Sequence, residues 1–393
     1  MLHMRCRKVR AMKYRQVSLV YLWAVVWLGL AAPLRAETRF SDEALEQAWV
    51  KRGIIFAPGF AGRKSAKFVS SPSVIRLDDG RLRMYVWVAD DTPPWLRGRH
   101  MIIAAESHPS NPFRWEVISD EALVGPDPDV VIRDKGVGFP FVLPRDNAPW
   151  LMYYGTWGGD WTAKQELLNR LGVAESHDRG LTWRIADEDM LPSGPPGSFD
   201  EGALPSAAVL QRSENDYLMW YTAAEKYLRF VDVNQGILHI GVARSRDGMH
   251  WQKFPEPALR AREAEAEPFE ACLARPTVLE LDGVYHMWFG VYDMAPGARP
   301  DQASGKRPLT GEGLKRASGG SYRIEYARST DGINWTRYAD QPIFSLSPGE
   351  FDSSSQTYGS VVDMGDQLWM FYTGDGLGAT GVGLATLDKA DLR

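Results

Sequence analysis

The chain has 393 residues, with 45 Lys and Arg against 50 Asp and Glu, a net charge of −5 and only two cysteines. That acidic balance argues against nucleic acid or an anionic membrane surface as the partner. Two cysteines exclude a disulfide-built scaffold, so the fold must hold by its core, for which the length is ample.

In chain order, the first segment is a targeting signal. Arg5, Arg7, Lys8, Arg10, Lys13 and Arg15 precede the apolar run VSLVYLWAVVWLGLAA (17–32), and PLRA follows. A basic region, a short apolar core and a small exit residue predict a secretory signal cleaved after Ala36. An uncleaved anchor is the alternative, but the run is short for a span. Met12 offers a second start. Loss of residues 1–36 removes seven Lys and Arg and no acid, leaving a charge of −12 and Cys272 as the lone cysteine. The expected product is secreted or periplasmic, free of the membrane after cleavage, monomeric, and one domain over 37–393.

AWVKRGIIF (48–56) then reads as one isolated strand. After it a four-strand pattern, A to D, begins and recurs. Strand B carries Met beside aromatics: LRMYVWVAD (82–90), WLMYYGTWG (150–158), YLMWYTAAE (217–225), YHMWFGVYD (285–293) and LWMFYTGDG (368–376). A tight turn and another strand, such as PSVIRLDDGR or PTVLELDGV, precede each. Strand C is rich in small residues and runs into AESHPSNPFRW (105–115), AESHDRGLTW (174–183), ARSRDGMHW (243–251) and ARSTDGINW (327–335). Asp and Gly make the C-to-D turn, and the Trp opens strand D and is expected to pack between repeats. These strings are scaffold, and SHDRGLTW matches the sialidase-type Asp box. The Met–aromatic stripes read as core.

Short strands at regular spacing with turn signals between them give an all-β array. Five copies of four antiparallel strands predict a five-bladed β-propeller, which leaves only short protected edges. The last copy ends at GVGLATLDK (381–389) without a Trp-led strand D. The strand at 48–56 is expected to supply it and close the last blade.

The A–B turns are all short, whereas four B–C connections are long. Long loops on a rigid scaffold carry function, so the face with the D–A and B–C connections is the candidate site. Acids crowd it: Asp200 and Glu201, Glu267 and Glu270, Glu350 and Asp352 in D–A segments, and Asp90, Asp91, Asp160, Glu225 and Asp293 in B–C segments. Trp95, Trp157, Trp161, Tyr227, Tyr292 and Tyr358 accompany them. Flat aromatics beside acids suit a sugar, although single acids at loop ends also cap turns. His100, His108, His177, His239, His250 and His286 show no metal-ligand spacing, and no phosphate loop, dinucleotide motif or Ser-His-Asp signature is present. No metal or cofactor is expected. Cys272 reads as a small buried hydrophobe.

SFDEGALP (198–205), EACLARPTV (270–278), YRIEYARSTDGINW (322–335), FDSSS (351–355) and MFYTGDG (370–376) resemble the five-bladed propeller superfamily of arabinanases, levansucrases and invertases, glycoside hydrolase families 43, 32, 68 and 130. The resemblance runs from about residue 48 to the end. It implies carboxylates at the inner ends of strands A, one a general acid and one its partner across the scissile bond. The first blade of family 43 has an Asp before the Pro of strand A. Here Ser71 precedes Pro72, and Phe139 precedes Pro140. What maps onto the pattern is Asp200 and Glu201, Glu270 and Arg275, and Asp352. The expected catalytic group is Glu201 as acid with Glu270 or Asp352. Arg275, Asp200, Asp160, Trp161, Asp91, Trp95 and Tyr358 are expected to bind substrate, with Arg275 on a hydroxyl or carboxylate, or holding an acid ionised. An exported glycoside hydrolase acting on a poly- or oligosaccharide follows. A carbohydrate-binding propeller without the catalytic pair, and a protein-interaction scaffold, are the alternatives.

Overall fold

The computed structural model describes residues 48–60, 66–90, 99–119, 121–158, 169–230, 233–262, 270–293, 321–338 and 342–392. The signal segment, Asp91, Trp95, Asp160 and Trp161 lie outside these residues. Among the described residues no helix is long and apolar enough to cross a membrane.

The strands run as antiparallel meanders of four. The first holds β2 (Phe68–Arg76), β3 (Leu82–Ala89), β4 (His100–His108) and β5 (Asn111–Val117). The second holds β6 (Gly136–Leu143), β7 (Trp150–Trp157), β8 (Leu171–Ser176) and β9 (Arg184–Asp187). β10 (Ala207–Ser213), β11 (Asp216–Phe230), β12 (Val233–Ser245) and β13 (Trp251–Lys253) follow. Then come β14 (Glu270–Leu281), β15 (Val284–Asp293), β16 (Ser321–Ser329) and β17 (Thr336–Tyr338). The last meander has β18 (Thr357–Asp363), β19 (Gln367–Thr373) and β20 (Val382–Asp388), and its fourth strand is β1 (Val50–Phe56), which pairs antiparallel with β20. The isolated strand therefore completes the C-terminal sheet. Single parallel pairs, His100 with Gly136 and Leu238 with Cys272, join the first meander to the second and the third to the fourth.

The first strands of successive meanders pack together in order, β2 on β6, β6 on β10, β10 on β14, β14 on β18, and β18 back on β2. Side-chain hydroxyls tie some of these contacts: Ser73 Oγ accepts Val142 N–H at 3.0 Å, Ser360 Oγ accepts Val74 N–H at 3.0 Å, and Thr277 Oγ1 accepts Val361 N–H at 3.3 Å. The core lies between meanders. Leu151, Tyr153 and Val173 of the second pack with Val209, Met219 and Tyr221 of the third, and Val74, Met84 and Val86 of the first with Phe371 and Leu384 of the last.

The Ser–turn–Trp strings form the joints. In the second, third and fourth meanders Ser176, Ser245 and Ser329 each accept the N–H of the turn glycine and donate to Asp178, Asp247 and Asp331 at 2.7–2.9 Å. Each Asp in turn accepts the next two backbone N–H groups beyond the glycine. The glycine carbonyl then takes two donors. One is the indole of its own Trp183, Trp251 or Trp335 at 3.1–3.2 Å. The other comes from the preceding meander: Tyr85 Oη to Gly180 at 3.0 Å, Tyr153 Oη to Gly248 at 2.8 Å, and Trp220 Nε1 to Gly332 at 2.8 Å. A Cβ on Gly180 would lie 2.0 Å from the Tyr85 hydroxyl, and its φ of +84° is already one that side chains resist.

The same indoles stand edge-on to the residue after the strand-B Met of the preceding meander. Trp183 meets Tyr85 (5.8 Å, 84°), Trp251 meets Tyr153 (6.3 Å, 72°) and Trp335 meets Trp220 (5.8 Å, 85°). Trp115 meets Phe371 of the last meander (5.9 Å, 85°), and Trp49, just before β1, meets Trp288 (6.1 Å, 85°). Edge-to-face geometry at this spacing adds favourable quadrupole contact to burial.

Candidate functional site

Each inner strand but one carries a kink. Ser71, Phe139, Arg275 and Tyr358 have φ between 51° and 54°, and the strand register shifts at each. Positive φ in residues with side chains is unfavourable and recurs at functional sites. Ser206 of the third meander holds the matching register without the kink. The side chains of these residues contact strands that are not neighbours. Arg275 reaches from β14 to β2 and β6: Nε donates to Ser71 Oγ at 3.1 Å, and Nη2 donates to Pro72 O at 3.2 Å and to Pro140 O. Phe139 on β6 meets Tyr358 on β18 edge-on at 5.3 Å. The kinked residues thus converge on one centre, walled by Phe68, Trp87, Trp157, Cys272 and Tyr358.

No described carboxylate pairs with Arg275, which is 1% exposed. Burial of the unpaired charge pushes its pKa down to about 9. Burial also drives the Tyr358 and Tyr322 hydroxyls up and Cys272 up to about 12, so all three stay protonated at neutral pH. Trp87 Nε1 donates to His100 Nδ1 at 3.1 Å, and Trp157 stacks on both rings at 5.5 and 5.8 Å.

The acids expected to act at this centre are engaged elsewhere. Asp352, fully buried, accepts Lys51 Nζ at 2.7 Å, Gln356 Nε2 at 2.8 Å and Tyr372 Oη at 3.0 Å. Asp200, 4% exposed, accepts Lys253 Nζ at 2.7 Å, Tyr221 Oη at 3.1 Å and Ser198 Oγ at 2.9 Å. The arrangement repeats: a carboxylate ahead of the inner strand, a lysine two residues after the strand-D Trp, and a strand-B tyrosine. In the fourth meander Glu270, the first residue of β14, and Arg337 take the first two places. Glu270, 2% exposed, accepts Arg337 at 2.7 and 2.9 Å, Arg262 at 2.7 and 3.0 Å, and Arg323 at 3.2 Å. Arg323 and Arg337 also pair with buried Glu325, and Arg323 with Asp293. Burial raises the Glu270 pKa, but Arg337 and Arg262 outweigh it and hold the group at about 2. Asp352 is likewise lowered, since Lys51 and Gln356 outweigh the burial that would raise it. Glu270 and Asp352 are thus fixed anions at neutral pH, each facing its own cation.

Glu201 differs. It is exposed, and its carboxylate accepts the N–H of Gly197 while no described cation pairs with it. Within β11 Glu225 accepts buried His239 Nε2 at 2.8 Å. Ala261 N–H donates to His239 Nδ1 at 3.1 Å, which puts the ring proton on Nε2. Among the described residues no group of His, Cys, Asp or Glu side chains is disposed to hold a metal ion. The residues that sequence reasoning missed are Lys51, Lys253 and Arg337 as partners of the acids, and Trp87, His100 and Phe139 as the wall. A basic residue two positions after Trp49, Trp251 and Trp335 was the available signal.

No family model matches the sequence. Two uncharacterized proteins from strains of Mycobacterium tuberculosis, MT1551 and Rv1502, are each 29% identical over 278 residues, covering 69% of this protein and 78% of theirs. Among solved structures, a BT0996 complex with RGII matches with a TM-score of 0.63 at 18% identity, covering 88% of this protein and 92% of that one. A GH130-family structure, described for glycoside hydrolases that target β-1,2-mannosidic linkages in Candida mannan, matches at 0.59 and 15%, covering 89% and 96%. A thermostable family-43 glycoside hydrolase matches at 0.53 and 14%, covering 85% and 91%. These likenesses show the fold alone: an all-β, propeller-like architecture shared with solved glycoside hydrolases.

Proposed function

We propose that this is an exported carbohydrate-binding propeller of the glycoside hydrolase type, which holds a poly- or oligosaccharide on the face bearing the D–A and B–C connections. The five meanders act as blades around one axis, and β1 closes the ring. Five edge-to-face tryptophan contacts running from each meander to its predecessor support that closure. The observation that carries the functional reading is the aromatic centre around Arg275, built on this fold: flat rings for sugar faces and a donor at their midst. Binding is favoured over hydrolysis because Asp200, Glu270 and Asp352 are each neutralised by a cation of their own meander.

Hydrolysis is the second reading. Glu201, exposed and without a cation among the described residues, favours it, since a general acid must be free to reach a glycosidic oxygen. A panel of neutral and acidic glycans incubated with the purified protein and with Glu201→Gln separates the two. Binding without product release, equal in both proteins, is the expected result. Release that Glu201→Gln abolishes while binding persists would make the protein a hydrolase acting through Glu201. An absence of binding to any glycan would remove the carbohydrate reading altogether.

A further inference from the structure

We infer that the saccharide held at the centre carries an anionic group, a sugar carboxylate, and that Arg275 is the residue that selects it; the inference rests on the carbohydrate reading above. The guanidinium is 1% exposed, yet its partners Ser71 Oγ, Pro72 O and Pro140 O are all uncharged. They occupy Nε and Nη2 and leave Nη1 without a protein acceptor among the described residues. A buried cation without an anion is unfavourable unless a ligand supplies the charge.

Among the described residues no carboxylate pairs with Arg275, and the three buried acids of this face are taken. Asp200 faces Lys253, Asp352 faces Lys51, and Glu270 faces Arg262 and Arg337. Among the described residues the centre therefore keeps one uncompensated positive charge, with Phe139, Tyr358 and Trp157 around it. A hexuronate fits both features. Its carboxylate answers the guanidinium through a charge-assisted hydrogen bond, and its ring lies on an aromatic face. Neutral sugars answer only the second.

The test titrates the full protein with oligogalacturonate, hyaluronate and alginate fragments and with the methyl esters of the same fragments, followed by tryptophan fluorescence. Each ester keeps the ring and loses the charge. The expected result is at least tenfold tighter binding of one acid over its ester at low salt, narrowing as salt is raised. Arg275→Gln should bring the ratio to near one, and Arg275→Lys should keep part of it. Should Arg275→Gln fail to fold, the wild-type acid-to-ester ratio and its salt dependence still decide. Equal affinity for acid and ester, or binding of neutral glycans alone, overturns the inference and leaves the carbohydrate reading standing. Binding of no glycan at all would sink both.

Discussion

At the scale of the residue, the acids of this face are latches. Lys51 and Lys253 reach Asp352 and Asp200 from the outermost strands, and each carboxylate is buried once paired. Removing one partner strands the other charge in the interior, which costs roughly 3 kcal/mol or more. Lys253→Met should therefore lower stability by about that amount, read as a shift in urea midpoint. Adding Asp200→Leu should recover much of it, because an apolar pair of similar volume is close to neutral. A Lys253→Met protein as stable as wild type would show the pair to be incidental. Glu270 makes a pH-dependent counterpart. Its folded pKa of about 2 lies below the ordinary 4.5, so its contribution is fully present above pH 4.5 and fades as pH falls toward 2. Glu270→Gln should flatten the acid limb of the stability curve by a few kcal/mol, measured as urea midpoints at pH 7, 4.5 and 3. The sequence displayed these acids but not their occupation. Lys51 stands 301 positions from Asp352, and only the fold brings them within 2.7 Å.

At the scale of the element, the C-to-D turn is a small machine for joining neighbours. The Asp247 carboxyl lies well below the usual range: burial would raise its pKa, but His250 and the backbone N–H groups of His250 and Met249 more than offset that. Asp247→Ala removes those acceptors and should cost about 1–2 kcal/mol, in the range of a lost helix cap. The loss should appear as a lower melting temperature and as faster amide exchange at Met249 and His250. Unchanged exchange there would mean that the turn is held by the Trp251 joint instead. This element was legible because its parts are local: Ser, Asp, Gly and Trp lie within seven residues, from Ser245 to Trp251. The inner-strand kinks were not. Ser71, Phe139 and Arg275 each precede a proline, which disfavours the right-handed helical region, but Tyr358 precedes Gly359 and that pattern alone does not give the φ of 51° at Arg275.

At the scale of the whole molecule, the question is what the first strand contributes. β1 pairs with β20, Trp49 stands against Trp288 and Phe344, and Lys51 holds Asp352. One nine-residue segment, AWVKRGIIF, thus supplies the outer strand of the last meander, one of five tryptophan joints and one latch. That role was readable from the repeat pattern alone, because the C-terminal repeat lacked a Trp-led strand and only one segment could lend it. The contribution is spatial rather than sequential, and this gives the sharpest test. Deleting everything through Phe56 should leave β20 with an open edge and Asp352 buried without its cation, so the product should aggregate or melt far below wild type. Moving residues 48–56 to the C-terminus, behind Leu392 and a short flexible linker, restores all three contacts, since β20 and the turn after it bring the backbone back beside the same edge. The permutant should melt within a few degrees of wild type, because a short loop adds little closure entropy. If the deletion and the permutant behave alike and both fail, the strand's place in the order of folding, and not its contacts, is what the protein needs; if both fold, β1 is an ornament on a fold that holds without it.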